Sequence, residues 1–409
     1  MNPYYLMTLL YLALAVLGAL DTSLVNLSIL ASFPGQRWLL VHTVTLGGLV
    51  ELLFGLAPDV TAALAKLPRP KFHWATWVLL NGGLILLYAG IPLINASLIT
   101  TGGTLIFIAA LLLIWKLMEL TRQRTGMDQA AGKEPAGRAP GLKFYISALT
   151  FLLIGILVGT GLWLGWAEPL RIVTPKEVHV HSNLWGFASI AIAGILFDLY
   201  PAFSGLKPAK PWSINLTFWL MTLGALGMVI GPWIDDNNFT VYGLVTHTLG
   251  TIVMLIILFK PLFGKSRERA GGFWYLIFAY IWFLVAVVVA PLVVAGGGFG
   301  AEVAGSGGPI LIFGWILQIG YAIFPYLFAR VFLPDQPARM DVNWLSLATS
   351  NGGSLIYWVS MFLAGGRSPM RGLAYLLWII SLIPILVNLM STISRRLEQI
   401  RNQDGAFSE

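Results

Sequence analysis

The sequence predicts an all-α polytopic membrane protein of about 12 transmembrane helices, arranged as three four-helix arcs, with both termini cytoplasmic. Three observations lead there. First, 57% of the 409 residues are hydrophobic, only 11% are charged, and the mean hydropathy is +0.79; a soluble domain has about a quarter charged residues. This balance excludes a soluble enzyme, a disordered chain and a coiled coil. Second, apolar runs recur at about 20 residues, the length a helix needs to cross the hydrocarbon. They lack the alternation of a barrel strand, and open sheet edges do not survive in lipid. Third, the basic residues fall on alternate connections, as the positive-inside rule requires.

The segments run in order. Helix 1 (3–27) opens MNPYYLMTLLYLALAVLGAL, without a positive n-region or a clear cleavage site, and reads as a retained helix. Helices 2 to 4 follow at 38–57, 73–95 and 98–118. A polar stretch, TRQRTGMDQAAGKEPAGRAPG, makes 119–143 a flexible cytoplasmic loop. Helices 5 to 12 are expected at 144–166, 178–200, 212–233, 240–262, 273–296, 309–331, 343–365 and 371–393, with a tail at 394–409. The whole is one transmembrane domain. With the N-terminus inside, 20 of the 25 Lys and Arg lie on the cytoplasmic side; Arg37, Arg171, Lys176, Arg367 and Arg371 lie outside. That split accounts for the pI near 9.5 without nucleic acid. The absence of cysteine excludes disulfides, iron–sulfur clusters and c-type haem attachment.

The five histidines separate into two groups. His73 opens helix 3 among basic residues of the inner side. His42, His179, His181 and His247 all fall in the first turns of even-numbered helices, which start outside. They should lie within about 10 Å of the outer edge of the hydrocarbon, from the helical rise. Ionisable residues inside a membrane are costly and mark functional sites, and histidine is the usual ligand of haem iron and of copper where cysteine is lacking. His179 and His181, two residues apart, point about 200° apart on a helix and would serve opposite faces. If helix 6 instead starts at His181, His179 is a loop residue.

Helices 2, 6 and 10 look related. They read HTVTLGGLVELLFGLAP from His42, HSNLWGFASIAIAGILFDLYP from His181 and PILIFGWILQIGYAIFP from Pro309. Histidine precedes glycine by five in the first two (Gly47, Gly186), and glycine precedes proline by eleven in the first and third (Pro58, Pro325). The repeat therefore comes every four helices.

This layout, with the segment EVHVHSNLWGFASIAIAGILFDLYP, resembles subunit I of the haem–copper oxidases and the smaller haem membrane proteins like them, including the NnrS-like proteins linked to nitric oxide stress. The resemblance implies one or two b-type haems held by His42, His181 and His247, with His179 next, and a second metal, copper or iron, among the same four histidines. In GGRSPMRG, between helices 11 and 12, Arg367 and Arg371 would hold haem propionates. Helices 7 and 10 lack the oxidase histidines, so a complete oxygen-reducing centre is not expected, and enzyme status stays open.

Further polar residues lie in the spans. Glu51, nine residues after His42 and about 180° round an α-helix from it, is a candidate proton relay or metal ligand. Asp21, Asn26 and Gln318 read as helix–helix hydrogen bonders, and Asp198 as a proton-uptake residue or an interfacial one. The stretch AGGGFGAEVAGSGG reads as an extended outer loop. The function expected is a haem protein of the cell (inner) membrane that transfers electrons, or binds or reduces a small gas such as NO or O2. Its partners would be the lipid bilayer, an electron donor and other respiratory subunits. The alternatives are a metal- or proton-coupled transporter using the same histidines, and a non-catalytic haem subunit of a respiratory complex.

Overall fold

A computed structural model describes residues 2–130, 139–207, 209–263, 271–295, 298–363 and 368–406. Of the chain, 84% is helical, and no strand occurs among the described residues, so the fold class is all-α. Among the described residues, twelve helices fall on the twelve expected segments. Helices 1 to 4 are Pro3–Asn26, Gln36–Leu64, Trp74–Gly90 and Ala96–Ala130. Helices 5 to 8 are Leu142–Leu164, Pro175–Ser204, Pro211–Ile234 and Asn237–Leu258. Helices 9 to 12 are Phe273–Ala295, Ile310–Phe332, Trp344–Leu363 and Pro369–Ala406. Ten of these are long and apolar enough to cross a membrane. The other two are helix 3, with 17 residues, and helix 11, whose 20 residues include several Ser, Asn and Gly.

Three boundaries differ from expectation. Helix 4 continues through Ala130, so the first part of the expected 119–143 loop is helical. Its polar continuation is held by local pairs such as Arg124–Asp128 at 2.8 Å, i to i+4. Helix 12 likewise runs to Ala406 and takes in most of the expected tail. The glycine-rich stretch forms a short helix, Gly298–Ser306, where an extended loop was expected.

The chain forms two compact units. One gathers Pro3–Gly48 with Gly264–Glu409; the other is Leu49–Phe263. In the first, helix 12 packs on helices 1, 10 and 11, and helix 9 on helix 10. In the second, helices 3 to 7 pack each on the next, and helix 8 lies along helix 7. Lipid tails are as apolar as leucine, so close packing and hydrogen bonds hold such helices together. Glycine allows the closest approach: a Cβ on Gly83 would stand 2.8 Å from the carbonyl oxygen of Gly102 on helix 4.

Helices 2, 6 and 10 share a backbone feature that hydropathy does not record. Each contains an eight-residue π-helical segment: Thr43–Val50, Ser182–Ser189 and Ile310–Leu317. The π pattern bonds i to i+5, is rare, and gathers at functional sites. The residue before each segment is His42, His181 and Pro309; the residue after is Glu51, Ile190 and Gln318. Gly47, Gly186 and Gly314 hold the fifth place in each, and each faces an aromatic ring of the preceding helix. Gly47 meets Tyr11, Gly186 meets Phe151, and a Cβ on Gly314 would lie 3.1 Å from Trp282. The four-helix repeat is therefore written in backbone geometry and in side-chain packing. Because π turns lie between His42 and Glu51, the 180° reckoned from an α-helix does not apply to that pair.

A second repeat joins helices 3 and 11. Trp74 precedes Asn81-Gly82-Gly83 by the same seven residues that separate Trp344 from Asn351-Gly352-Gly353. In each helix the second glycine meets the backbone of the next helix, Gly83 at Gly102 and Gly353 at the carbonyl of Ala374 (2.9 Å).

Candidate functional site

Helix 6 starts at Pro175, in the favoured first-turn place for proline, with Glu177 at the positive end of the helix dipole. His179 and His181 are therefore both helical, which decides between the two readings of the pair. They turn to opposite neighbours. His179 Nδ1 lies 2.8 Å from the carbonyl oxygen of Gly155 on helix 5, and its ring fills the notch over Gly159. Asn183, one turn on, fills the notch over Gly155 and donates to the His179 carbonyl at 2.8 Å. His181 Nδ1 lies 2.7 Å from the carbonyl oxygen of Met228 on helix 7.

A carbonyl oxygen only accepts, so in both rings Nδ1 carries the proton and Nε2 the lone pair. An Nδ1–H held by a backbone carbonyl fixes tautomer and ring orientation and raises the basicity of Nε2, as in metal-bound histidines. No hydrogen bond reaches His181 Nε2 among the described residues.

His247 on helix 8 is fully buried and has the other tautomer. Its Nε2 donates to the carbonyl of Trp185 on helix 6 at 3.2 Å. The lone-pair nitrogen, Nδ1, is turned back to Thr251 one turn along its own helix, 3.5 Å away. The Trp185 indole stands edge-on at 5.5 Å. This histidine ties helix 8 to helix 6, and its outward nitrogen is already committed.

In the other unit, His42 is the last residue before the helix 2 π segment. Its Nδ1 donates to the Trp38 carbonyl at 2.8 Å, and its ring stacks on the Trp38 indole at 4.1 Å and 12°. Its own helix therefore orients it, with the same tautomer as His181.

Arg371, 9% exposed, donates from Nη2 to Glu302 Oε1 at 2.7 Å and stands 5.7 Å over the Tyr357 ring. Its Nε is buried and lacks an acceptor among the described residues. Glu302 also accepts from Ser306 at 2.9 Å. These two hydrogen bonds, Ser306 first, hold its carboxyl below the usual carboxylate range. Arg37 acts electrostatically on both Tyr357 and Tyr375, and so belongs to the same cluster. Arg367 lies outside the described residues.

Glu51 is fully buried on helix 2. Asn81 of helix 3 interacts with it, yet neither carboxyl oxygen makes a hydrogen bond of full geometry among the described residues. Asn81 already donates to the Trp77 carbonyl at 3.1 Å. Gln318, at the matching place of helix 10, donates to the Tyr275 carbonyl (3.2 Å) and accepts from Ser350 (3.0 Å). Asp198 accepts from the Gly141 N–H (2.6 Å) and the Tyr145 hydroxyl (2.9 Å), so it anchors the start of helix 5. Gln36 donates to Asp21 across the turn between helices 1 and 2, as expected of a helix–helix bond. Asn26 instead bonds the Thr22 carbonyl of its own helix, contrary to expectation. His73 caps helix 3, accepting from the Thr76 N–H at 3.3 Å.

Among the described residues no three His, Asp or Glu side chains are placed to hold one metal ion together. Asn81 and Arg37 escaped the sequence reading. The shared Asn-Gly-Gly of helices 3 and 11 is the signal that finds the first; Arg37 carries only its exception to the positive-inside count.

The fold and these side chains define a class: a polytopic helical membrane protein with imidazoles fixed on intramembrane carbonyls. The family model for the NnrS protein matches residues 142–403, well over half of the chain, and the chain belongs to the NnrS family. The family is associated with the response to nitric oxide. The match spans helices 5 to 12 and holds His179, His181, His247, Arg367 and Arg371; His42 and Glu51 precede it. No curated protein matches the chain.

Proposed function

We propose that this protein binds b-type haem in the membrane and uses it to bind a small gas, nitric oxide first, or to pass electrons to it. The single observation that carries this reading is His181. Its Nδ1–H is fixed on the Met228 carbonyl at 2.7 Å, and its lone-pair nitrogen is left without a hydrogen bond among the described residues. That is the state of an imidazole prepared to ligate iron. His42 has the same tautomer and a ring fixed by Trp38, which supports it as a further ligand. The structure favours His247 less than the sequence did, because its Nε2 is spent on Trp185. His179, packed into the glycine notch of helix 5, is likewise a packing residue first.

Bound haem would supply a one-electron centre and an iron open to diatomic gases. Within its own unit, His181 would hold and orient it by ligation through the nitrogen its Met228 hydrogen bond leaves free. The reading further places the protein in the cell membrane with both termini cytoplasmic, fed by an electron donor or a respiratory partner.

Oxidised and dithionite-reduced spectra of the detergent-purified chain, with a pyridine haemochromogen assay, test the proposal. A b-type spectrum that shifts with NO is expected. Haem-free protein from cells amply supplied with haem would overturn it.

A further inference from the structure

The first residue after a π segment is polar and fully buried in two of the three repeats. In helix 10 it is Gln318, fully buried, which gives one hydrogen bond to the Tyr275 carbonyl and takes one from Ser350. The place thus asks for a side chain that donates and accepts at once. In helix 2 the same place is Glu51, equally buried, beside Asn81 from the Asn-Gly-Gly motif that helix 11 repeats. An ionised carboxylate only accepts; a carboxylic acid has one O–H donor and one carbonyl acceptor, and so matches the amide it replaces. An ionised carboxylate there would also be unpaired, since neither oxygen has a full hydrogen bond and no cationic side chain interacts with it among the described residues. Burying such a charge is far costlier than burying the neutral acid.

We propose that Glu51 is a proton-holding site within the membrane span. At rest it is a neutral carboxylic acid beside Asn81 of helix 3, with a proton that exchanges with solvent. Exchange breaks the carboxyl O–H bond and delivers H+ to water; return of H+ restores the acid. The ligand of the site is the proton, which the glutamine of the sister repeat cannot release. The inference does not depend on haem, and its test does not read haem.

The test is infrared spectroscopy of the full-length chain in detergent at neutral pH, unlabelled and with 13C-glutamate. Glu51 is the only fully buried glutamate among the described residues, so a protonated-acid carbonyl band that moves with the label belongs to it. The expected result is such a band, shifted in D2O and lost in Glu51→Gln, while the melting temperature stays within a few degrees. Gln318→Glu should add a second band. The label reads the unmutated protein, so the proposal remains testable even if a variant fails to fold. The aspartates, including Asp198, are silent to the label. Absence of a label-sensitive band, or its survival in Glu51→Gln, would overturn the proposal. So would its loss when choline chloride is replaced by sodium chloride, which would make the site a metal-cation site.

Discussion

Helices 6 and 10 repeat one construction. Both carry an eight-residue π segment, a glycine at its fifth place facing an aromatic ring of the preceding helix, and a proline further along. They part at the residue just before the segment, which is His181 in one and Pro309 in the other. Helix 10 forms its π segment without a histidine, so the histidine of helix 6 is not what the backbone requires. The scaffold is general, and the imidazole is an addition to it. His181 should therefore be removable with loss of ligand binding and little loss of fold, whereas the shared glycine should not be replaceable.

The largest effect expected from that contrast is on haem. His181→Ala should lower haem per protein at least tenfold, about 1.4 kcal/mol or more of binding, and should cost about 1 kcal/mol of stability because the Met228 carbonyl loses its donor. His247→Ala should keep most of the haem and lose about 1–3 kcal/mol of stability, because the buried Trp185 carbonyl loses its donor. Haem retained in the first variant and lost in the second would reverse the assignment. Gly186→Leu should be the most damaging change to the scaffold, about 3 kcal/mol or more. It sets a side chain into the Phe151 ring and would show as lost monodispersity in size-exclusion chromatography. Gly82→Leu, with nothing within 4 Å of its Cβ direction, is the matched control.

Asp198→Asn should cost about 1–2 kcal/mol, since an amide accepts less strongly than a carboxylate at a helix start; a thermal melt reads it. The smallest effect concerns Glu302. Its carboxyl is held low, so the stability it contributes is present above the unfolded carboxylate range, near pH 4.3, and is lost as pH falls through the lower folded value. With its side chain about a third exposed, solvent screening limits the loss to about 1 kcal/mol. Glu302→Gln should abolish that acid-side slope in melting temperature.

The sequence made the helices legible because a span of hydrocarbon imposes length and apolarity together. It misjudged where they stop: helices 4 and 12 continue past the apolar run on local side-chain pairs such as Arg124–Asp128 and Arg396–Gln399, which hydropathy ignores. The π segments were hidden for a related reason, since apolar composition does not distinguish an i+4 from an i+5 bond. Within the site, the opposed directions of His179 and His181 followed from helical geometry alone. Their partners did not, because the carbonyls of Gly155 and Met228 belong to the backbone and leave no mark in side-chain identity. The partner of His247 was illegible for the same cause: only the Trp185 carbonyl shows which nitrogen is engaged. Asn81 could have been found, since its Asn-Gly-Gly recurs in helix 11.

Helices 7 and 8 meet glycine to backbone along their length, with Gly224 against His247 and Gly243 against Met228 and Gly227. Their turn is only two aspartates: Asp235 in the left-handed region at φ 61° and Asp236 capping helix 8 through the Asn238 N–H. Every contact that closes this hairpin is local in sequence. During biosynthesis the pair can thus assemble as soon as residue 258 has left the ribosome, before helices 10 to 12 have been made. It would bring the Met228 carbonyl to His181, already in the bilayer, so the imidazole would be oriented while the second half of the chain is still being made.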